Sequence, residues 1–101
     1  MKVVLTDQSL ERLESALRFY LEELEIPKTK VVEIKGRLIK SATGLSKRPY
    51  KGQYEPYLAK LKQGHRRLIE GNFKIVYRVE NDNIYVVDFF DSRDNPSKMM
   101  G

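Results

Sequence analysis

The sequence predicts a single α+β domain in which a short N-terminal strand and an antiparallel helical hairpin pack on a mostly antiparallel four-stranded sheet. Three observations predict this fold. Apolar residues recur at helical spacing in two segments of the first half of the chain. Apolar and polar residues alternate over 73–80, as in a strand with one buried face. A nearly continuous apolar run follows at 84–90, which is typical of a strand covered on both faces or central in its sheet.

The N-terminal part of the chain predicts a strand and a first helix. The β-rich run 2–6 is expected to join the later sheet. Thr6, Asp7 and Ser9 offer oxygens that can cap a helix N-terminus. Pro27 is expected to end this helix, because its ring cannot continue the hydrogen-bond ladder. The apolar stripe that would pack on the core comprises Leu10, Leu13, Leu17, Tyr20, Leu21 and Leu24.

A second helix is predicted over 29–43, with Gly44 placed to cap its C-terminus. Because the link between the two helices is short, they are expected to form an antiparallel hairpin with its apolar side on one face of the sheet. The pattern loosens over the following segment, 46–64, in which residues 47–53 predict a basic loop that carries a tyrosine. Within it, 54–61 is compatible with either a brief helix or an extended segment.

The stretch 65–96 predicts three consecutive antiparallel strands. Turn residues that tolerate positive φ lie between the strands, at 70–72 and at 81–83, and predict hairpins. The strands are expected to gather basic side chains into one candidate anion-binding site. These side chains are Arg66 and Arg67 on the first strand, Lys74 and Arg78 on the second, and Arg93 after the third.

Length and composition narrow the class of protein. A chain of 101 residues is expected to form one domain, 1–101, with a single modest core. The chain has no cysteine, which excludes disulfides and thiolate metal sites. It also has no apolar run of the roughly 20 residues that a membrane span needs, and no signal-peptide core, so a cytoplasmic protein is expected. A net charge of +5 favours an acidic partner, either nucleic acid or an acidic protein.

The order of elements and the residues of the three strands resemble the RelE/ParE superfamily of toxins from type II toxin–antitoxin modules. The resemblance covers essentially the whole chain and is closest to ParE-like, plasmid-stabilisation members. Its most specific parts are Arg67–Leu68, Gly71–Val79 and Ile84–Pro96, with an aromatic and a basic residue, two aliphatic residues and a tyrosine in the middle strand.

The resemblance implies two different activities. RelE-like members are ribosome-dependent endoribonucleases that cut messenger RNA, whereas ParE-like members poison DNA gyrase and have no nuclease chemistry attributed to them. Both are neutralised by a cognate antitoxin. The chain is therefore expected to be a toxin that acts on DNA gyrase. The alternatives are an mRNA endoribonuclease on the ribosome and an inactive module that only binds an acidic partner, so whether it is an enzyme stays open. No cofactor, metal, membrane or small-molecule substrate is expected.

The nuclease alternative has specific chemical requirements. Metal-free RNA cleavage needs cations that stabilise the phosphorane and a group that transfers protons. Lys74, Arg67 and Arg93 fall at positions that match basic residues of the nuclease members, and are the catalytic candidates. Arg66 and Arg78 are candidates for binding the target, although any single cation can also be an ordinary solvated charge, and Arg93 can form a local ion pair with Asp91 and Asp94.

The proton-transfer group is the missing part of the nuclease alternative. The C-terminal tail has no tyrosine or histidine where nuclease members often carry one. His65 is the only histidine and could serve as a general base or acid. The other interpretation of His65, favoured for a lone histidine beside Gly64, is a surface residue at the entrance of a strand. Tyr77 lies on the apolar side of its strand and is expected in the core. This gap favours gyrase as the target.

Overall fold

A computed structural model describes the whole chain, Met1–Gly101, and shows a five-stranded sheet with two α-helices on one face. The strand order is β1-β5-β4-β3-β2; β1 pairs in parallel with β5, and the other pairs are antiparallel. The elements are β1 (Lys2–Leu5), α1 (Asp7–Glu22), α2 (Lys28–Gly44), β2 (Gln53–Tyr54), a 3₁₀ helix (Pro56–Leu61), β3 (Arg66–Glu70), β4 (Phe73–Glu80), β5 (Asn83–Asp91) and a second 3₁₀ helix (Pro96–Lys98).

The expected α+β class, the N-terminal strand and the helical hairpin are confirmed, but the number of strands is wrong. The fifth strand is β2, which has only two residues and pairs with Arg66 and Arg67 of β3. Such a short edge strand has no periodicity that a sequence pattern could show. The segment whose structure was left open, 54–61, is mainly the first 3₁₀ helix.

The start of α1 follows the prediction, whereas its end does not. Thr6 Oγ1 accepts a hydrogen bond from the Ser9 amide at 3.1 Å, which caps the helix N-terminus. The helix ends at Glu22, well before Pro27, and Glu25 has a φ of +50° that no helix can contain. Pro27 is instead the N-cap residue of α2. Pro27 therefore begins the second helix and does not end the first.

The predicted glycine cap of α2 is also wrong. Gly44 is the last residue of the helix, and Leu45 follows it in a right-handed conformation, with its amide bonded to Ala42 O and Thr43 O. Leu45 is buried in the main core. The chain therefore continues in the helical direction past the glycine, and this direction brings the Leu45 side chain into the core.

The main core lies between the helices and one face of the sheet, which we call the helix face. Helix α1 contributes Leu13, Leu17 and Tyr20, whereas Leu10 and Leu21 of the predicted stripe are exposed. Leu24 lies beyond the end of the helix and is exposed too. The apolar stripe is therefore wider than the strip of helix that contacts the sheet. The buried core residues are Leu13, Leu17, Tyr20, Val31, Leu38, Ala42, Leu45, Phe73, Ile75, Tyr77, Ile84, Val86 and Phe89.

A second, smaller core covers the opposite face of the sheet, which we call the outer face. It joins Leu58 of the first 3₁₀ helix and Met99 of the C-terminal tail to strand residues Val76, Val87 and Phe90. The sheet is thus partly covered on both sides. Strand β5 is buried on both of its faces, as its continuous apolar sequence predicted.

Both predicted hairpins are confirmed. Gly71 follows Glu70 with a φ of +57°, and Glu70 pairs directly with Phe73. In the next turn, Asn81 and Asp82 have φ of +50° and +63°, which are the two positive values of a type I′ turn. These tight turns fix the register that decides which side chains share a face.

Candidate functional site

Two of the three catalytic candidates lie together on the outer face of the sheet. Arg67 and Lys74 are on the neighbouring strands β3 and β4, and both approach the same carboxylate, that of Glu55. Lys74 Nζ lies 3.0 Å from Glu55 Oε1, and Arg67 Nε lies 3.9 Å from the same oxygen. Arg67 also donates to the carbonyl oxygen of Tyr54. The two cations are therefore held by partners within the chain.

Glu55 is the centre of this group. Its side chain is 2% exposed, and it precedes the first 3₁₀ helix, whose Tyr57 amide donates to its other carboxylate oxygen at 2.9 Å. Burial by itself would raise the pKa of the Glu55 carboxyl, but the Tyr57 amide, Lys74 and Arg67 outweigh burial and lower that pKa. Glu55 is consequently ionised at neutral pH and neutralises one of the two cations.

Arg93 belongs to a different group, on the helix face. Its guanidinium bonds both carboxylate oxygens of Asp91, with Nε 3.1 Å from Oδ1 and Nη2 3.0 Å from Oδ2. It also donates to the hydroxyl oxygen of Tyr20 on α1. The local ion pair with Asp91 is confirmed, whereas Asp94 pairs with Lys98. The structure therefore does not bring Arg93 together with the two cations on the outer face.

Tyr20 completes the group on the helix face. Its hydroxyl donates to Asp91 at 2.6 Å, and its ring packs against Phe73. Burial and the bond to Asp91 raise the pKa of Tyr20 to about 12. Burial would raise the pKa of Asp91, but the bonds from Arg93 and Tyr20 outweigh it and lower that pKa. This group ties the end of β5 to the first helix.

His65 lies inside the molecule, so its interpretation as a surface residue is wrong. It is 3% exposed, and neither ring nitrogen has a hydrogen-bond partner. Leu61 and Gly101 lie close to each other and to the imidazole. Burial and the positive charge of Arg78 lower the pKa of His65. A neutral, enclosed imidazole is poorly placed to exchange protons with a substrate.

The two candidates for target binding also have partners within the chain. The Arg66 guanidinium lies 5.1 Å from the Tyr50 ring centroid and 4.2 Å from that of Tyr54, and it donates to Gly52 O at 2.8 Å. Arg78 forms an ion pair with Glu80 and lies over the ring of Tyr85 at 4.9 Å. Tyr77 is fully buried, as predicted, and its hydroxyl accepts the Gly52 amide at 2.9 Å.

Sequence reasoning missed the role of Glu55, although the sequence contains a signal. Glu55 is the only carboxylate between Glu33 and Glu70, within a stretch rich in lysine and arginine. A lone acid among many cations is a candidate for an internal ion pair. The pairing itself depends on the first 3₁₀ helix and on β2, which periodicity did not predict.

Asp88 is the one charged residue within the apolar run 84–90, and the structure shows its partners. It is fully buried, bonds Arg12 Nε at 3.0 Å and accepts the Met100 amide at 2.9 Å. Burial raises the pKa of Asp88, although Arg12 and the Met100 amide oppose the rise. Arg12 also donates to Lys98 O at 3.0 Å. Asp88 thus anchors the C-terminal tail against the sheet.

The structure contains no group of three histidine, aspartate or glutamate side chains that could hold a metal ion. Neither α-helix combines the length and the apolar character that a bilayer crossing requires. The charged candidates thus form two separate ion-paired groups, one around Glu55 on the outer face and one around Asp91 on the helix face.

Comparison with known proteins identifies the family. The model of the family described as "ParE toxin of type II toxin-antitoxin system, parDE" matches residues 3–96, almost the whole chain. The chain belongs to the ParE toxin family. A solved structure described as the chromosomal ParDE TA system from P. aeruginosa is 17% identical, has a TM-score of 0.73, and is aligned over 90% of this chain and 95% of that chain. No curated protein sequence matches.

The family match confirms the resemblance stated from the sequence, including its ParE-like subgroup. The solved structure is only 17% identical in sequence, so this comparison shows that the two chains share a fold. The residues that carried the resemblance, 71–79 and 84–96, include the two longest strands, whose side chains build both cores. The residues that carried the resemblance therefore include many that build the two cores.

Proposed function

We propose that this ParE-family toxin inhibits growth by acting on DNA gyrase, that it does not cleave RNA, and that a cognate antitoxin neutralises it. The observation that carries the choice of target is the ion pairing of the catalytic candidates. Glu55 holds Lys74 and Arg67 on the outer face, and Asp91 holds Arg93 on the helix face. A phosphorane needs several cations directed at one place, and these side chains are directed at two.

The second support is the state of the groups that could transfer protons. His65 is enclosed and its pKa is lowered by burial, and Tyr77 is buried with its hydroxyl bonded to Gly52. The tail contributes Met99 to the outer core and carries neither a tyrosine nor a histidine that could act as an acid or a base. Inhibition by binding requires none of this chemistry, only a surface.

The proposed antitoxin contact is the exposed apolar surface near the connection between α1 and α2. Phe19 is 52% and Val32 is 59% exposed, and Leu21 and Leu24 between them are exposed as well. Exposed apolar side chains that follow one another along a short stretch of the chain are candidates for a protein contact. We expect Phe19→Glu and Val32→Glu each to weaken antitoxin affinity by about tenfold or more in a calorimetric titration. Ile69→Glu, an equally exposed change on the outer face, is the control and should leave the affinity unchanged.

The decisive experiment compares the two targets with one preparation of the purified toxin. In a gyrase supercoiling assay, we expect loss of supercoiling and accumulation of cleaved DNA, both reversed by the antitoxin. In a purified translation system, we expect the messenger to stay intact. Lys74→Ala should retain the gyrase effect, provided that circular dichroism shows it folded. Codon-specific cleavage of the messenger, abolished by Lys74→Ala and without any effect on gyrase, would overturn the proposal.

A further inference from the structure

The net positive charge of the molecule is carried by one segment, residues 34–54, which we call the basic segment. It has six lysine and arginine residues and no aspartate or glutamate, whereas the rest of the chain has one more acid than base. The basic segment covers most of α2, the loop after it and the two residues of β2. Its cations are Lys35, Arg37, Lys40, Lys47, Arg48 and Lys51.

Four of these cations line a cleft of about 370 Å³, which we call the basic cleft. It is formed where the C-terminal half of α2 and the following loop meet the end of β3. Its charged and polar lining consists of Arg37, Lys40, Ser41, Arg48, Lys51 and Glu70. The cleft is separate from the two ion-paired groups described above, because none of their charged side chains lines it.

Three of the four cations of the basic cleft are free, unlike Lys74, Arg67 and Arg93. Lys40, Arg48 and Lys51 form no ion pair. Arg37 pairs with Glu33 on the exposed surface of α2. The single carboxylate of the cleft, Glu70, accepts the Ser41 hydroxyl. Three unpaired cations therefore face one carboxylate that already has a hydrogen-bond donor.

Two exposed tyrosines lie in the same segment. Tyr50 is 58% and Tyr54 is 65% exposed, and the guanidinium of Arg66 lies against a face of each ring. Each ring has a second face, and Tyr50 directly precedes Lys51 of the basic cleft. Aromatic rings beside cations are the surface on which nucleic-acid bases stack.

We propose that the basic cleft binds the phosphodiester backbone of a nucleic acid. Phosphate oxygens need only charge and hydrogen-bond donors, which arginine and lysine supply. An acidic polypeptide would satisfy the charge too, but a peptide contact depends on apolar anchors seated in pockets. The one apolar residue of the lining, Leu45, is itself buried in the main core and offers no such anchor. This inference goes beyond the proposed action on gyrase and does not require it.

Counterion release sets the size of the expected effect. If the four cations each neutralise one phosphate of a duplex, the slope of log K against log salt is about −3.6. Duplex affinity should then fall roughly 150-fold between 50 mM and 200 mM salt. For a single strand the slope is about −2.8, and the loss is roughly 50-fold.

The test measures fluorescence anisotropy of a labelled 20-base duplex, and of single-stranded DNA and RNA of the same sequence, with purified toxin and no gyrase. The variant Lys40→Ala/Arg48→Ala/Lys51→Ala should reduce the magnitude of the duplex slope by about 2.7. The control, Lys2→Ala/Arg18→Ala/Lys28→Ala, removes the same charge from exposed cations outside the basic segment and should keep the slope. Circular dichroism establishes that both are folded.

Three results would overturn the inference. The first is binding of the unmodified toxin that does not depend on salt. The second is an equal loss in the cleft variant and its control, which would mark a general effect of net charge. The third is competition by poly-glutamate as effective as that by unlabelled duplex, which would mark an acidic polypeptide as the ligand. The variant Tyr50→Ala/Tyr54→Ala distinguishes a single-stranded ligand from a duplex. A loss of affinity of about fivefold or more that is confined to the single strands identifies a single strand as the ligand. Unchanged affinity identifies the duplex as the ligand. None of these results alters the gyrase test.

Discussion

Replacing Glu55 by glutamine tests whether the outer-face cations are structural. Glutamine keeps the shape of the side chain and an acceptor for the Tyr57 amide, but it removes the charge that faces Lys74 and Arg67. Removing one partner of a fully buried ion pair costs about 3–5 kcal/mol. The side chains of Lys74 and Arg67 are 27% and 20% exposed to solvent. Water therefore solvates part of the positive charge that loses its partner, and the cost is smaller. We therefore expect Glu55→Gln to lower the free energy of unfolding by about 2 kcal/mol.

Urea denaturation measures this loss directly. With an m-value of about 1.5 kcal/mol per molar, the midpoint should fall by about 1.3 M at pH 7. The pKa of Glu55 is lowered in the folded chain, so its contribution is complete above its ordinary pKa and is lost as pH falls through the folded value. The curves of the parent and the variant should therefore approach each other as the pH falls below the ordinary pKa of the carboxyl. The control is Glu80→Gln, which breaks the more exposed ion pair with Arg78 and should cost less than about 1 kcal/mol. A loss no larger than that of the control would refute the reasoning.

Three further predictions concern stability. The pKa of His65 is lowered in the folded chain, so the unfolded chain is protonated first as the pH falls, and stability should decrease below about pH 6.5. His65→Gln should flatten this part of a plot of melting temperature against pH. An unchanged slope would contradict the burial argument. Tyr20→Phe removes the hydroxyl that donates to Asp91 and should cost about 1–2 kcal/mol in urea denaturation, whereas equal stability would mean that this bond contributes nothing. Gly52→Ala would place a Cβ 2.6 Å from the backbone oxygen of Arg67 and should lower the free energy of unfolding by about 1–3 kcal/mol. Gly36→Ala, in open space on α2, should instead raise it by about 0.5–1 kcal/mol. Equal effects of the two changes would refute the steric account.

The parts of the fold that were predicted correctly are those with a strong local pattern. The alternation over 73–80 and the apolar run over 84–90 correspond to β4 and β5, and the turn residues between them adopt the positive φ that they predicted. Each of these signals depends on neighbours within a few positions of the chain. The helices were predicted for the same reason, with only their ends in error.

The parts that were missed depend on contacts between distant residues. Strand β2 exists because Gln53 and Tyr54 find a partner in β3, and two residues carry no period of their own. His65 is buried beside Gly101, which is 36 residues away in the sequence, and a local pattern does not show this contact. Pro27 has the same fixed φ whether it follows one helix or begins the next, so its local effect did not decide between them.

The candidate site shows why a matching position does not by itself assign a role. Lys74 became a catalytic candidate only because the resemblance matched its position, and it does lie on the strand predicted for it. Its chemistry, however, is decided by Glu55, which lies outside the strands and neutralises it. Of the cations on the sheet, those with a carboxylate partner stabilise the fold. The free cations of the basic cleft, Lys40, Arg48 and Lys51, lie on α2 and the loop after it and form no ion pair. The positive charge available to an external anion is therefore found by counting unpaired cations, and that count moves the expected contact from the sheet to the basic segment.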